Sequence, residues 1–265
     1  MKIIKKDLTK NLTIIFFIFY VIFLFVFFYF KIGETYYHNI LNYLNFLNHI
    51  IALFFGYSAI NYFKLSNKQG KIAFFISLSV LMWLIGEIIW QFNNNAIISI
   101  ADFFYLLGYP FMMISIFLAI TISDNHFISN KKQLFFLFFG IILITILYFK
   151  ISPINWQKEI SFLENLVTSG YVIADFILLI PCFALILVFW KGEYKKAWIY
   201  LLIGVFFIII GDTYYAINYE TYEKGSLFDL TWFYGYLFFS LALYTMKQKA
   251  QESLDFLKEK LSKDK

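Results

Sequence analysis

Long apolar runs broken by short polar, lysine-bearing segments extend from one end of the chain to the other. The runs fall at 12–30, 41–63, 72–92, 101–122, 133–150, 163–190, 197–218 and 228–246. Each is close to the roughly 20 residues that carry a helix across the hydrocarbon core. The pattern predicts an all-α polytopic membrane protein with eight transmembrane helices. Lys2, Lys5, Lys6 and Lys10 precede the first run. No small-residue cleavage site follows it, so it reads as an uncleaved first span rather than a signal peptide. The polar breaks alternate sides, and their lysines divide 18 to 4 between the two sides. Lys31, Lys150, Lys158 and Lys224 form the minority. The positive-inside rule then predicts that both termini are cytoplasmic.

The polar positions inside the runs recur. Gly86-Glu87 near the end of the third run returns as Gly211-Asp212 at an offset of 125. Ser99-x-x-Asp102 with Gly108-Tyr109 returns as Ser226-x-x-Asp229 with Gly235-Tyr236 at an offset of 127. The intervening loop is two residues longer in the second copy. Residues 1–126 and 127–246 therefore read as two four-helix repeats, followed by a cytoplasmic amphipathic tail at 247–265. An even number of spans per repeat makes the copies parallel, related by an axis along the membrane normal. A pocket between the halves is the expected consequence.

Charge inside a span is costly, about 2.5–3.5 kcal/mol per residue on insertion scales, so a repeated placement asks for a reason. Glu87 and Asp212 come late in their helices, where the helix dipole disfavours an acid, which favours a pocket over a structural role. Asp102 and Asp229 open the next spans on the same side. Both fit an N-cap with an acid in the first turn as well as they fit a pocket, and the two readings stay open. Asp175 lies about a third of the way into its span, and His49 with Asn48 sits at comparable depth in the second. His49 fits a satisfied core histidine as well as a ligand. Six ionisable groups thus fall in one layer. Helical spacing puts Trp83, Trp90 and Gln91 on the face of Glu87, and Tyr105 and Tyr109 on that of Asp102. Trp232 and Tyr236 match them beside Asp229, and Tyr215 follows Asp212. Hydroxyl and indole donors of this kind let carboxylates remain buried.

Composition narrows the picture further. Apolar residues make up 61% of the 265-residue chain and charged residues 15%. A soluble domain would carry about a quarter charged residues. The expected location is the cell membrane, with the lipid bilayer as the first partner. The net charge of +5 comes from lysine alone, since the chain has no arginine. The bidentate contacts that read guanine or phosphate are missing, and nucleic-acid binding is excluded. The single cysteine, Cys182, permits neither an internal disulfide nor a thiolate zinc site. No phosphate-binding glycine loop, His-Glu-x-x-His or Gly-x-Ser-x-Gly motif occurs, and no cofactor is implied.

Over Gly86 to Pro110 the chain resembles the multi-span sensor region found N-terminal to histidine-kinase, PAS or diguanylate-cyclase modules in archaeal and bacterial signalling proteins. The resemblance implies a sensory component that answers to a cytoplasmic partner, here without an output domain of its own. More faintly, the paired acids look like those of lysoplasmalogenase-type membrane hydrolases. The favoured expectation is a non-enzymatic, outward-facing pocket for a small ligand or cation. An intramembrane hydrolase and a small ion-coupled transporter are the alternatives. In the tail, Leu254, Leu257 and Leu261 share one face, which suits a homodimer or the membrane surface as well as a solvated helix end.

Overall fold

The computed structural model describes residues 2–33, 36–92, 98–122, 161–189, 192–218 and 221–263, with side chains from Asn11 onward. The expected span at 133–150 lies outside this description except for helical positions at 135, 138–139, 141–142 and 145–146. All regular structure among the described residues is helical: α1 (Lys2–Phe30), α2 (Tyr37–Phe63), α3 (Lys68–Gln91), α4 (Ile100–Ile120), α5 (Phe162–Phe189), α6 (Lys195–Ile217) and α7 (Leu230–Lys263). A 3-10 turn, Leu227–Asp229, leads into α7. All seven helices are long and apolar enough to cross a membrane, so the chain has the make-up of a multi-pass membrane protein.

From α2 onward each helix packs on the next, and α7 returns to α2, closing a ring of six. α1 stands outside the ring. Its buried stripe of Phe17, Tyr20, Leu24 and Phe28 repeats at helical spacing and faces Leu230, Phe233 and Leu237 of α7. Phe28 meets Phe233 edge to face with ring centroids 5.1 Å apart. The opposite side of α1, including Phe19 and Phe30, is exposed, as a lipid-facing surface requires.

The interior of the ring differs between its two ends. Towards the ends marked by Phe63, Lys68 and Lys195 it is filled by apolar side chains, among them Ile76, Met112, Ile116, Leu185, Leu201, Phe239 and Leu243. Towards the start of α2, α4, α5 and α7 and the end of α3 and α6 it opens into a cavity. Where α3 begins, a Cβ on Gly70 would lie 1.9 Å from the Lys64 carbonyl oxygen, so only glycine permits the tight turn from α2.

α3 and α4 are clamped by side-chain donors. Ser79 Oγ donates to the Gly108 carbonyl at 2.8 Å, and Trp83 Nε1 donates to the Tyr105 carbonyl at 3.0 Å. Both bonds fall in the turns around Pro110, whose ring supplies no N–H. α7 continues past Met246 as one helix to Lys263 rather than breaking into a separate tail. Lys247 Nζ donates to Ser58 Oγ at 2.7 Å and Ser253 Oγ donates to Glu193 Oε2 at 2.8 Å, holding the extension against α2 and the turn before α6. Leu254, Leu257 and Leu261 stay exposed.

Candidate functional site

Apolar spans can bury carboxylates only where donors converge on them, and the open end of the ring supplies those donors. The cavity there measures about 380 Å³. Of the residues singled out from the sequence, Glu87, Trp90, Asp102, Tyr105, Tyr109, Asp212, Tyr215, Asp229, Trp232 and Tyr236 line it. They reach it from α3, α4, α6 and α7. Asp175 and His49 do not line it and sit in the layer behind.

The centre of the site is the Tyr109 hydroxyl. It lies 2.8 Å from Asp175 Oδ1 on α5 and 2.8 Å from Asp212 Oδ2 on α6. Trp232 Nε1 on α7 donates to Asp212 Oδ1 at 2.7 Å. Two helices, α4 and α7, are therefore tied to α5 or α6 through two acids. Asp175 is 1% exposed, and its second oxygen has no partner. Glu87 is half-buried and faces the Tyr105 hydroxyl.

The other two acids are partly spent on local structure. Asp102 closes a capping box: the Ser99 N–H donates to Asp102 Oδ2 at 2.7 Å, and Ser99 Oγ accepts from the Ala101 N–H at 3.1 Å. Its remaining oxygen accepts from the Tyr171 hydroxyl at 2.7 Å. Both readings of this residue hold at once, since it caps α4 and also borders the cavity. Asp229 departs from its counterpart. Ser226 makes no side-chain cap; instead Asp229 accepts from the Gly225 N–H at 2.7 Å, Ser226 Oγ at 3.1 Å and Tyr222 at 3.0 Å, and so folds the incoming loop. The backbone donor is thus Gly225, one residue before the position that matches Ser99.

His49 is fully buried, its ring 3.7 Å from that of Tyr236 and its Nδ1 2.9 Å from the Asn45 carbonyl oxygen. It supports the cavity floor through Tyr236 rather than facing the cavity. Glu164 pairs with Ser161: the Ser161 N–H donates to Glu164 Oε2 at 2.7 Å and the Glu164 N–H to Ser161 Oγ at 3.3 Å. It caps the start of α5.

No protein-family model, curated protein or solved structure matches the chain. The site therefore stands on its own geometry.

That geometry includes residues the sequence reading passed over. Asn42 and Asn45 of α2 line the cavity and each leaves its Oδ1 unpartnered. Their spacing with Asn48 makes a polar stripe along one side of an otherwise apolar span, a signal present in the sequence. Tyr171 stands four residues before Asp175, on the same helical face, and was equally legible. Tyr222 and Lys224 come from the loop before α7 and carry no periodic signal. Lys224 is exposed at the rim, its Nζ 3.5 Å from Gln91 Oε1. Partial burial holds its ammonium below the ordinary lysine value, while Glu87 and Asp229 pull it back up. Burial, then Asp229, push the Tyr222 phenol above its ordinary value.

Proposed function

We propose that the chain is a cell-membrane sensory component whose cavity takes a small organic cation. One observation carries this reading: Glu87 and Asp212 face a cavity walled by Trp83, Trp90, Tyr105, Tyr171, Tyr215 and Trp232, with Lys224 at its rim as the one cation among the described lining residues. Aromatic faces attract cations, by up to about 2 kcal/mol when the site is desolvated, and carboxylates fix their position. A volume near 380 Å³ falls within the usual range of roughly 300–1,000 Å³ for small-molecule sites. Among the described residues no three His, Cys, Asp or Glu side chains come together as a metal site would need. An organic cation suits this lining better than a metal ion.

The sensory part of the reading rests on α7. Asp229, Trp232 and Tyr236 border the cavity at or just before its first turns, and the same helix ends at Lys263. At about 1.5 Å per residue its 34 residues span roughly 50 Å, enough to carry a displacement from the cavity past the far end of the ring. Among the described residues the interior below the cavity is filled mainly by apolar side chains, which favours a receptor over a transporter. In this proposal the lysine-rich end is cytoplasmic and the cavity faces outward. The six ring helices are the last three of each of two parallel four-helix repeats. The exposed Leu254, Leu257 and Leu261 face meets a cytoplasmic partner or a second copy.

Thermal melting of the detergent-solubilised protein against tetramethylammonium and phenethylammonium tests the cavity. At a concentration 100-fold above Kd, the probe that fits stabilises the parent by about 2.7 kcal/mol. Glu87→Gln keeps the side chain's shape beside Tyr105 and loses that stabilisation. Equal shifts in parent and variant would remove the reading. Lys224→Met takes away the resident cation facing Glu87 and Asp229. An exposed charge pair is worth about 0.5–1 kcal/mol, so the variant binds the same probe about two- to five-fold more tightly. Titration by calorimetry reads the change, and weaker binding than the parent's contradicts the role given to Lys224.

A further inference from the structure

Hydrogen counting at Tyr109 shows something the cavity alone does not. A phenol carries one hydrogen, yet the Tyr109 oxygen lies at hydrogen-bond distance from two carboxyl groups. Only one of these contacts can be donated by tyrosine. The second needs its own hydrogen, which must sit on one of the acids. Two bare carboxylates held within two hydrogen-bond lengths of each other, one of them fully buried, would repel with nothing between them to compensate.

The surroundings decide which acid holds the hydrogen. Asp212 already accepts from Trp232 Nε1, and accepting from Tyr109 as well gives each of its oxygens a donor, as a carboxylate requires. Among the described residues Asp175 has no other donor: its Oδ2 is buried without a partner. A bare carboxylate oxygen there would cost several kcal/mol. The carbonyl oxygen of a neutral acid costs far less. Among the described residues, the polar groups facing the pair are Tyr109 on α4, Trp232 and Tyr236 on α7, Glu87 on α3 and, on α5 itself, Tyr171. None of them is a cation.

We infer that Asp175, Tyr109 and Asp212 form a proton relay in which Asp175 stores one proton and passes it to the cavity when a cation settles against Asp212. The transfer is conservative. The Asp175 O–H breaks as its proton moves to the Tyr109 oxygen, and the Tyr109 O–H breaks as its proton moves to Asp212 Oδ2. Asp212 then gives that proton to solvent in the cavity. Asp175 is left ionised and accepting from Tyr109, Asp212 is ionised and accepting from Trp232, and the incoming cation balances the added negative charge. Storage at Asp175 is independent of any ligand. Only the release step rests on the cavity's taking a cation.

Infrared spectroscopy of the full chain in detergent, in H2O and D2O at neutral pH without ligand, tests the storage. The parent shows the carbonyl stretch of a protonated carboxylic acid, shifted by deuteration, and Asp175→Asn lacks that component while Glu87→Gln retains it. Melting gives an independent reading. An amide at 175 donates to Tyr109 as the neutral acid does, so Asp175→Asn melts with the parent. At position 212 an amide turns one acceptor into a donor facing Trp232 or Tyr109, so Asp212→Asn melts lower. An unchanged acid band in Asp175→Asn, or a melting loss there as large as at 212, overturns the assignment. Titration with tetramethylammonium in buffers of different ionisation heat then tests the release. Heat that depends on buffer in the parent and not in Asp175→Asn supports it, and buffer-independent heat in the parent rejects it. If neither tetramethylammonium nor phenethylammonium binds, the cation reading of the cavity fails while the infrared result still decides the storage.

Discussion

Tyr109→Phe lowers the melting temperature by about 6–12 °C while leaving the helical circular-dichroism signal in place. Phenylalanine keeps the ring that packs edge to face on Trp83 with centroids 5.8 Å apart, so no cavity opens. What goes is the oxygen between Asp175 and Asp212. Hydrogen bonds to charged groups contribute about 1.5–3 kcal/mol each, and those between membrane helices fall towards or below the lower end of that range. A loss near 3 kcal/mol, at about 2–4 °C per kcal/mol for a chain of this size, gives the expected shift. Asp175 bears most of the damage, because it would then have no partner on either oxygen. The same substitution made on Asp175→Asn should cost less, the orphaned acid having been replaced. A double-mutant cycle reads this coupling, and strictly additive losses would show that Tyr109 does not join the two acids.

The acids of this site were visible in the sequence because their surroundings made them so. Glu87 and Asp212 stand in runs of isoleucine, leucine and phenylalanine, and the cost of placing them there is what marks them. Their companions had no such contrast. The chain contains 20 tyrosines, and nothing in their pattern distinguishes Tyr222, which lies in a loop, from residues at the membrane surface. Helical spacing also fixes the face a residue occupies without fixing how far that face is turned. Asp175 and His49 fall in the same layer as the others, yet they lie behind the cavity wall, in contact with Tyr109 and Tyr236. The return of α7 to α2 that closes the ring depends on contacts far apart in sequence, and no local period announces it. The Ser-x-x-Asp pairs show the limit from the other side. The same four-residue pattern forms a capping box at Ser99 and a loop anchor at Ser226, because capping depends on where the preceding backbone N–H groups lie.

Gly211→Ala removes the cavity's hold on its ligand by a purely steric route. A Cβ at 211 would lie 2.6 Å from Trp232 Nε1 and 2.6 Å from Thr231 Oγ1, closer than atoms can pack. The indole has little room to yield, since Tyr215 and Tyr222 meet it with ring centroids 6.4 and 6.3 Å away. It must move off Asp212, giving up the 2.7 Å bond that holds the carboxylate in place. Overpacking costs about 1–3 kcal/mol and the lost charge-assisted bond about as much again, so the expected loss is about 3 kcal/mol, with no tetramethylammonium-dependent stabilisation remaining. Gly170→Ala is the matched control. A Cβ there meets nothing within 4 Å, and alanine's better helix propensity leaves the protein as stable or up to about 1 kcal/mol more so. Pairing Gly211→Ala with Trp232→Phe separates packing from chemistry. The smaller ring relieves the clash with the indole and recovers only the packing part of the melting loss, and without the indole N–H to hold Asp212 the probe still fails to stabilise the protein. Recovery of both together would mean that Trp232 only fills space and that its bond to Asp212 does nothing for the cavity.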